Sequence, residues 1–173
     1  MTPEEGVVRF SPEAQAEFER LVGEFPLRRS ALLPTLHLAQ EEFGYLSPPV
    51  IRYVAELLGV SPMDVYSVTS FYEMFHTKPV GRYHICMCRN LSCTLRGAEE
   101  ILRHLERRLG IRPGQTTKDG RFSLAVTECL GSCGTAPMFW CNDAFYENLT
   151  SARVNELLDA WVKAEPVGGR PGS

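Results

Sequence analysis

The sequence predicts an α+β fold: an N-terminal helical bundle over residues 1–79, an α/β layer over 80–165 and a short flexible tail at 166–173. Three observations carry this. Ser-Pro pairs occur at Ser11-Pro12, Ser47-Pro48 and Ser61-Pro62, and each marks a helix start. The serine hydroxyl can accept from an unpaired amide, and proline at the first helical position gives up an N–H that has no helical partner. Apolar residues after each pair recur at helical spacing up to about residue 76. Beyond Lys78-Pro79 that period gives way to alternation.

Within the first part, Ala14, Phe18, Leu21 and Val22 share one helical face. Leu33, Leu36, Leu38, Ala39 and Phe43 define a second helix, and Ile51, Val54, Leu57 and Leu58 a third. Gly44 and Gly59 sit where helix ends belong, and Asp64, three residues after Ser61, approximates a capping box for the fourth. In the second part "RYHICMC" is short and rich in aromatic and β-branched residues, so it reads as a strand. Leu95, Ala98, Ile101, Leu102, Leu105 and Leu109 mark a helix ended by Gly110 and the turn-rich "RPGQTTKDG". "RFSLAVTEC" alternates as a half-buried strand. "APMFWCN" and "AFYENL" read as two more strands around Asn142-Asp143, and Val154, Leu157, Leu158 and Trp161 as a final helix. The order is strand, helix, three strands, helix, with a four-stranded sheet.

Composition narrows the function. Hydrophobic residues make up 44% of the chain, enough for a packed core, and acidic residues outnumber basic ones by 21 to 18 with the basic ones scattered. A nucleic-acid or anionic-lipid footprint is therefore not expected. The start "MTPEEGVVRF" lacks the basic region of a signal peptide, and no apolar run approaches the roughly 18 residues of a membrane span. A cytoplasmic chain without direct membrane insertion is expected. In a reducing compartment its six cysteines read as metal ligands or redox thiols, not as a disulfide framework.

Those cysteines are Cys86, Cys88, Cys93, Cys129, Cys133 and Cys141. Cys88 to Cys93 is a CxxxxC group and Cys129 to Cys133 a CxxxC group, each starting where a strand ends. If the two strands are neighbours, both loops leave the sheet at the same edge and four thiolates converge. Iron-sulfur clusters and zinc both accept four such sulfurs. Zinc more often uses the tighter CxxC knuckle, and a binuclear cluster, wider than one ion, suits spacers of four and three; unrelated buried cysteines are the bland alternative. A dianionic cluster needs amides and few acids around it. "RNLS" and "LGS" between the paired cysteines hold no carboxylate. Gly131 and Gly134 can adopt the positive φ that turns amides inward, and a helix after Cys93 would point its positive end at that sulfur. Glu128, the nearby carboxylate, is expected to face away. Cys86 points to the same face as Cys88 but lies further from the turn, so Cys88 is preferred, and Cys86 and Cys141 read as small buried hydrophobes. His37, His76, His84 and His104 lack any metal-binding spacing, and no phosphate-binding glycine loop occurs. The aromatic-rich "YSVTSFYEMF" reads as helix core or as a partner contact.

The stretch "LPTLHLAQEEFGYLSPPVIRYVAELLGVSPMDVYSVTSFYEMF" together with "CRNLSC" and "CLGSCGTAPM" resembles the 24 kDa subunit family of respiratory NADH:quinone oxidoreductases, complex I, from about Ser11 to Ala164. The resemblance implies a thioredoxin-like ferredoxin domain carrying one 2Fe-2S cluster on Cys88, Cys93, Cys129 and Cys133. It implies a preceding helical domain that packs on the 51 kDa, F-type partner subunit, which binds FMN and NADH. The two would form a heterodimer within a larger complex on the inner face of the membrane. In that setting the chain is a subunit of an oxidoreductase and exchanges one electron with the flavin, and it has no catalytic acid, base or nucleophile of its own. Cys86 and Cys141 depart from the family pattern. Equivalent subunits occur in NAD-dependent formate dehydrogenases and NAD(P)-linked hydrogenases. The remaining alternatives are a stand-alone ferredoxin, which would not need the bundle over residues 11 to 76, and a zinc-stabilised interaction module.

Overall fold

The computed structural model describes residues 8–164, so the proposed tail at 166–173 lies outside the described residues. The chain separates into two compact units, one running to Pro79 and one starting at Val80.

The first unit contains α1 (Pro12–Gly23), a 3-10 turn (Arg28–Ala31), α2 (Leu32–Phe43), α3 (Pro48–Leu58) and α4 (Pro62–Phe71). Each Ser-Pro pair opens a helix. Ser11 and Ser61 accept from the amides of Ala14 and Asp64, whereas the buried Ser47 hydroxyl makes no capping bond. Phe18, Leu36, Val50, Val54 and Val65 are fully buried in its core. Phe10 closes one side of that core, stacked on Phe43 at 5.7 Å and edge-on to Tyr53 at 5.2 Å. Gln40 holds the segment after α4, since its side-chain amide donates to Met74 O and its carbonyl accepts from His76 N. Among the described residues no helix is long and apolar enough to cross a membrane.

The second unit contains β1 (Tyr83–Cys88), α5 (Leu91–Leu95), α6 (Ala98–Leu109), β2 (Gln115–Thr116), β3 (Phe122–Thr127), β4 (Phe139–Cys141), β5 (Ala144–Tyr146) and α7 (Ser151–Lys163). Among the described residues the sheet has five strands, not four, in the order β2-β3-β1-β4-β5. The extra strand lies inside "RPGQTTKDG": Gln115 and Thr116 fold back antiparallel on Leu124 and Ser123. Two residues flanked by turn formers are too short to register as an alternating pattern. The central pair, β1 and β3, is parallel and joined by a helical crossover, while β4 and β5 add antiparallel to the other side of β1. Asn142, at φ 53°, turns the chain from β4 to β5, and its side chain accepts from His84 N and donates to Arg82 O.

Residues of β1, β3 and β4 on one face, among them Ile85, Met87, Phe122, Leu124, Phe139 and Cys141, pack with Ile101 and Leu105 of α6 and Val154, Leu157 and Leu158 of α7. Trp161 stacks on Tyr83 at 5.0 Å and meets Tyr146 edge-on at 5.3 Å, fixing α7 to the sheet.

Candidate cluster site at the end of the parallel strands

The site follows from the register of β1 on β3. Cys88, the last residue of β1, lies opposite Thr127, the last residue of β3. Because the strands are parallel, both loops that follow leave at one edge. Arg89 N donates to Thr127 O at 3.0 Å and Cys88 N to Met138 O at 3.2 Å, so the strand ends stay tied beyond the sheet. The Cys88 thiol lies 3.9 Å from Glu128 O, directly before Cys129.

Cys93 does not precede a helix as the periodicity suggested; it lies within one. The short α5 is capped by Asn90, whose side chain accepts from Leu91 N, and Cys93 is its third residue. A break at Gly97, φ 91°, separates α5 from α6. Leu95 and Ala98 thus belong to different helices, which a single apolar stripe could not reveal.

Cys88 and Cys93 are buried, while Cys129 and Cys133 are exposed on the loop after β3. Burial pushes the Cys93 thiol up to about 11; contact with the Cys88 thiol adds to this, a hydrogen bond with the Met138 backbone opposes it, and the nearby Cys133 contributes further. Cys93 therefore senses one cysteine from its own loop and one from the other. Among the described residues no three His, Cys, Asp or Glu side chains close on one point as a single-ion site. Cys129 and Cys133 reach this rim through a loop whose turn is made by Gly131 at φ 82°, and Cys133 opens a short 3-10 turn. Gly134, also expected at positive φ, does not adopt it; Gly131 alone makes the left-handed bend.

Glu128 points to solvent, with 76% of its side chain exposed, and pairs with Arg89 at 3.2 Å. A second carboxylate, remote in sequence, reaches the same loop. Glu147, just after β5, accepts from the hydroxyls of Ser132 and Thr135, and those two bonds hold its pKa below the usual carboxylate range. Ser132 and Thr135 flank Cys133 in sequence, but nothing local points to Glu147 as their partner. Cys86 and Cys141 are buried in adjacent strands on opposite faces: Cys86 pairs in register with Trp140 and Cys141 with Ile85. Two of the histidines make packing and hydrogen-bond contacts within the fold, His104 bonded to Asn155 at 2.8 Å and His37 packed on Phe75.

A small sheet with parallel central strands, both helices of its crossover and terminus on one face, and two cysteine loops at one edge defines the class: a ferredoxin-like domain. The family model described as thioredoxin-like [2Fe-2S] ferredoxin matches residues 18–162, and the chain belongs to that family. It is 47% identical over 151 residues to the second E-type NADH-quinone oxidoreductase subunit of Rhizobium meliloti, covering 87% of this chain and 90% of that one. To NADH-quinone oxidoreductase subunit 2 of Thermus thermophilus it is 43% identical over 152 residues, covering 86% and 84%. Among solved structures it resembles a chain of an NAD+-reducing [NiFe]-hydrogenase, with a TM-score of 0.66 and 27% identity. That match covers 76% of this chain and 22% of the longer hydrogenase chain.

Proposed function

We propose that this chain is the electron-carrying subunit of an NADH-quinone oxidoreductase, with one 2Fe-2S cluster bound by Cys88, Cys93, Cys129 and Cys133. The observation that carries the ligand set is the register of Cys88 on Thr127, which delivers both cysteine loops to one edge of the sheet. The donor chemistry fits. Four thiols are available on the two loops, and Glu128 is turned away from them. Such a cluster, when bound, supplies one-electron chemistry. The protein's part is to supply thiolates, exclude water on the Cys88–Cys93 side through the packed core, and leave the Cys129–Cys133 side open to a partner.

The partner in this reading is the 51 kDa subunit that carries FMN and NADH, within a complex peripheral to the inner face of the membrane. Leu91 and Leu95, one helical turn apart on α5 on either side of Cys93, are 69% and 78% exposed. Large apolar side chains this exposed beside a redox site suit a protein contact. The experiment is to co-express the chain with the flavin-binding subunit and follow its cluster spectrum after adding NADH. Reduction is expected with the partner present and not with this chain alone; reduction by NADH alone would overturn the division of labour. Leu91→Asp/Leu95→Asp should reduce co-purification at least tenfold, from about 1.4 kcal/mol or more lost at the contact, with iron content unchanged.

A second reading, the equivalent subunit of an NAD-linked hydrogenase, draws on the hydrogenase likeness. The subunits recovered with the native complex separate the two, since a quinone-reducing complex contains no nickel.

A further inference from the structure

The loop carrying Cys129 and Cys133 is exposed and has little regular structure, yet its two sulfurs must be held in place for any cluster to form. Its start is tied to β1 by the bond of Arg89 N to Thr127 O and by the pair of Arg89 with Glu128, and its far end by the bond of Cys88 N to Met138 O. Its second half is tied to the segment after β5. There Asn148 N donates to Thr135 O at 2.7 Å and Leu149 N to Pro137 O at 2.9 Å, and the Glu147 carboxylate accepts from both Ser132 and Thr135. Ser132 Oγ and Thr135 Oγ1 are also 2.8 Å apart, so three oxygens form a triangle around two hydroxyl protons. A carboxylate is the strongest acceptor of the three, because hydrogen bonds to a charged oxygen are about twice as strong as neutral ones. Both protons therefore go to Glu147.

We propose that Glu147 is a positioning residue of the cluster site: its carboxylate fixes the Cys133 end of the loop and holds the Ser132 and Thr135 hydroxyl protons away from the cysteine sulfurs. This rests on the cluster reading above. Two effects follow, and they have the same sign. A negative charge beside an anionic cluster disfavours an added electron, and hydroxyl protons kept on Glu147 cannot stabilise reduced sulfur. Both lower the reduction potential. The residue is ionised at neutral pH, since its two hydroxyl partners hold its pKa down.

The test uses the full chain, with iron and sulfide reconstituted, and the variants Glu147→Gln and Glu147→Ala. Glutamine keeps an acceptor oxygen and removes the charge. In a dithionite titration followed by electron paramagnetic resonance, Glu147→Gln is expected to raise the reduced-to-oxidised ratio about threefold at a fixed ambient potential, or ~28 mV for a one-electron couple. The shift should shrink as salt rises from about 0.01 to 1 M, because an exposed charge is screened over that range; a purely structural role would not produce this salt dependence. Glu147→Ala should also speed hydrogen exchange at the amides of residues 130–135 in the iron-free chain. An unchanged potential in Glu147→Gln with full iron content overturns the electrostatic role, and unchanged exchange in Glu147→Ala overturns the positioning role. If the wild-type chain takes up no iron and sulfide, the cluster reading fails instead, and the exchange measurement on the iron-free chain still decides whether Glu147 holds the loop.

Discussion

Cys93→Ser is expected to leave a folded chain that no longer retains iron. The side chain is 2% exposed, is fixed in the middle of α5, and touches the Cys88 thiol. A serine there keeps its proton at neutral pH and offers a hard oxygen where iron prefers thiolate. Losing a hydrogen-bond partner behind a metal ligand lowers affinity about 10–100-fold, so losing the ligand itself should reach or exceed the top of that range. Iron per chain and the visible absorption measure it, with far-ultraviolet circular dichroism as the check on folding. Cys141→Ser is the matched control. It lies in the helix-facing core opposite Ile85, so it should lose about 1–3 kcal/mol of stability for burying a hydroxyl but keep its iron. Equal iron loss in the two variants would mean the ligand set is wrong.

Gly81→Ala should be the most destabilising single-methyl change in the sheet-bearing unit. A Cβ at this buried position would lie 2.7 Å from the Phe122 carbonyl carbon, 2.9 Å from Ser123 N and 3.0 Å from Phe122 Cα. All three are backbone atoms at the start of β3, so no rotamer change relieves the contact; the strand must move. The Gly81 amide also donates to Ser123 Oγ at 2.5 Å, a bond that the movement would strain. Forced overpacking of this kind costs about 3 kcal/mol. Both tryptophans, Trp140 and Trp161, lie in this unit, so urea unfolding followed by tryptophan fluorescence reports on it specifically. Gly23→Ala, where nothing lies within 4 Å of the added carbon, should change stability by less than about 0.5 kcal/mol. A Gly81→Ala midpoint equal to wild type would contradict the close packing of this segment on β3.

What the sequence made legible was local in origin. Ser11-Pro12, Ser47-Pro48 and Ser61-Pro62 mark helix starts because capping chemistry acts within one turn of chain. The alternation in residues 122–127 shows β3 because one of its faces is covered by helices. The cysteine spacings pointed to loops at strand ends for the same reason. Features that depend on distant pairing were not visible. The two-residue β2 exists only because β3 offers it an edge. The interruption at Gly97 is hidden because Leu95 and Ala98 keep an apolar rhythm across it. Glu147 escaped for a related reason: it lies 12 residues from Thr135 and 15 from Ser132, and only the turn from β4 into β5 brings it back to the loop. Glu128, adjacent to Cys129 in sequence, is turned outward by the fold, whereas Glu147, remote in sequence, bonds the hydroxyls on either side of Cys133.

In the proposed site, four sulfurs from two loops hold a pair of bridged irons at one edge of the sheet. Iron, acid-labile sulfide and zinc analysis of the anaerobically purified chain tests this most directly. A brown protein with about two irons and two sulfides per chain and no stoichiometric zinc is expected; a colourless protein with one tightly bound zinc and no sulfide would contradict it.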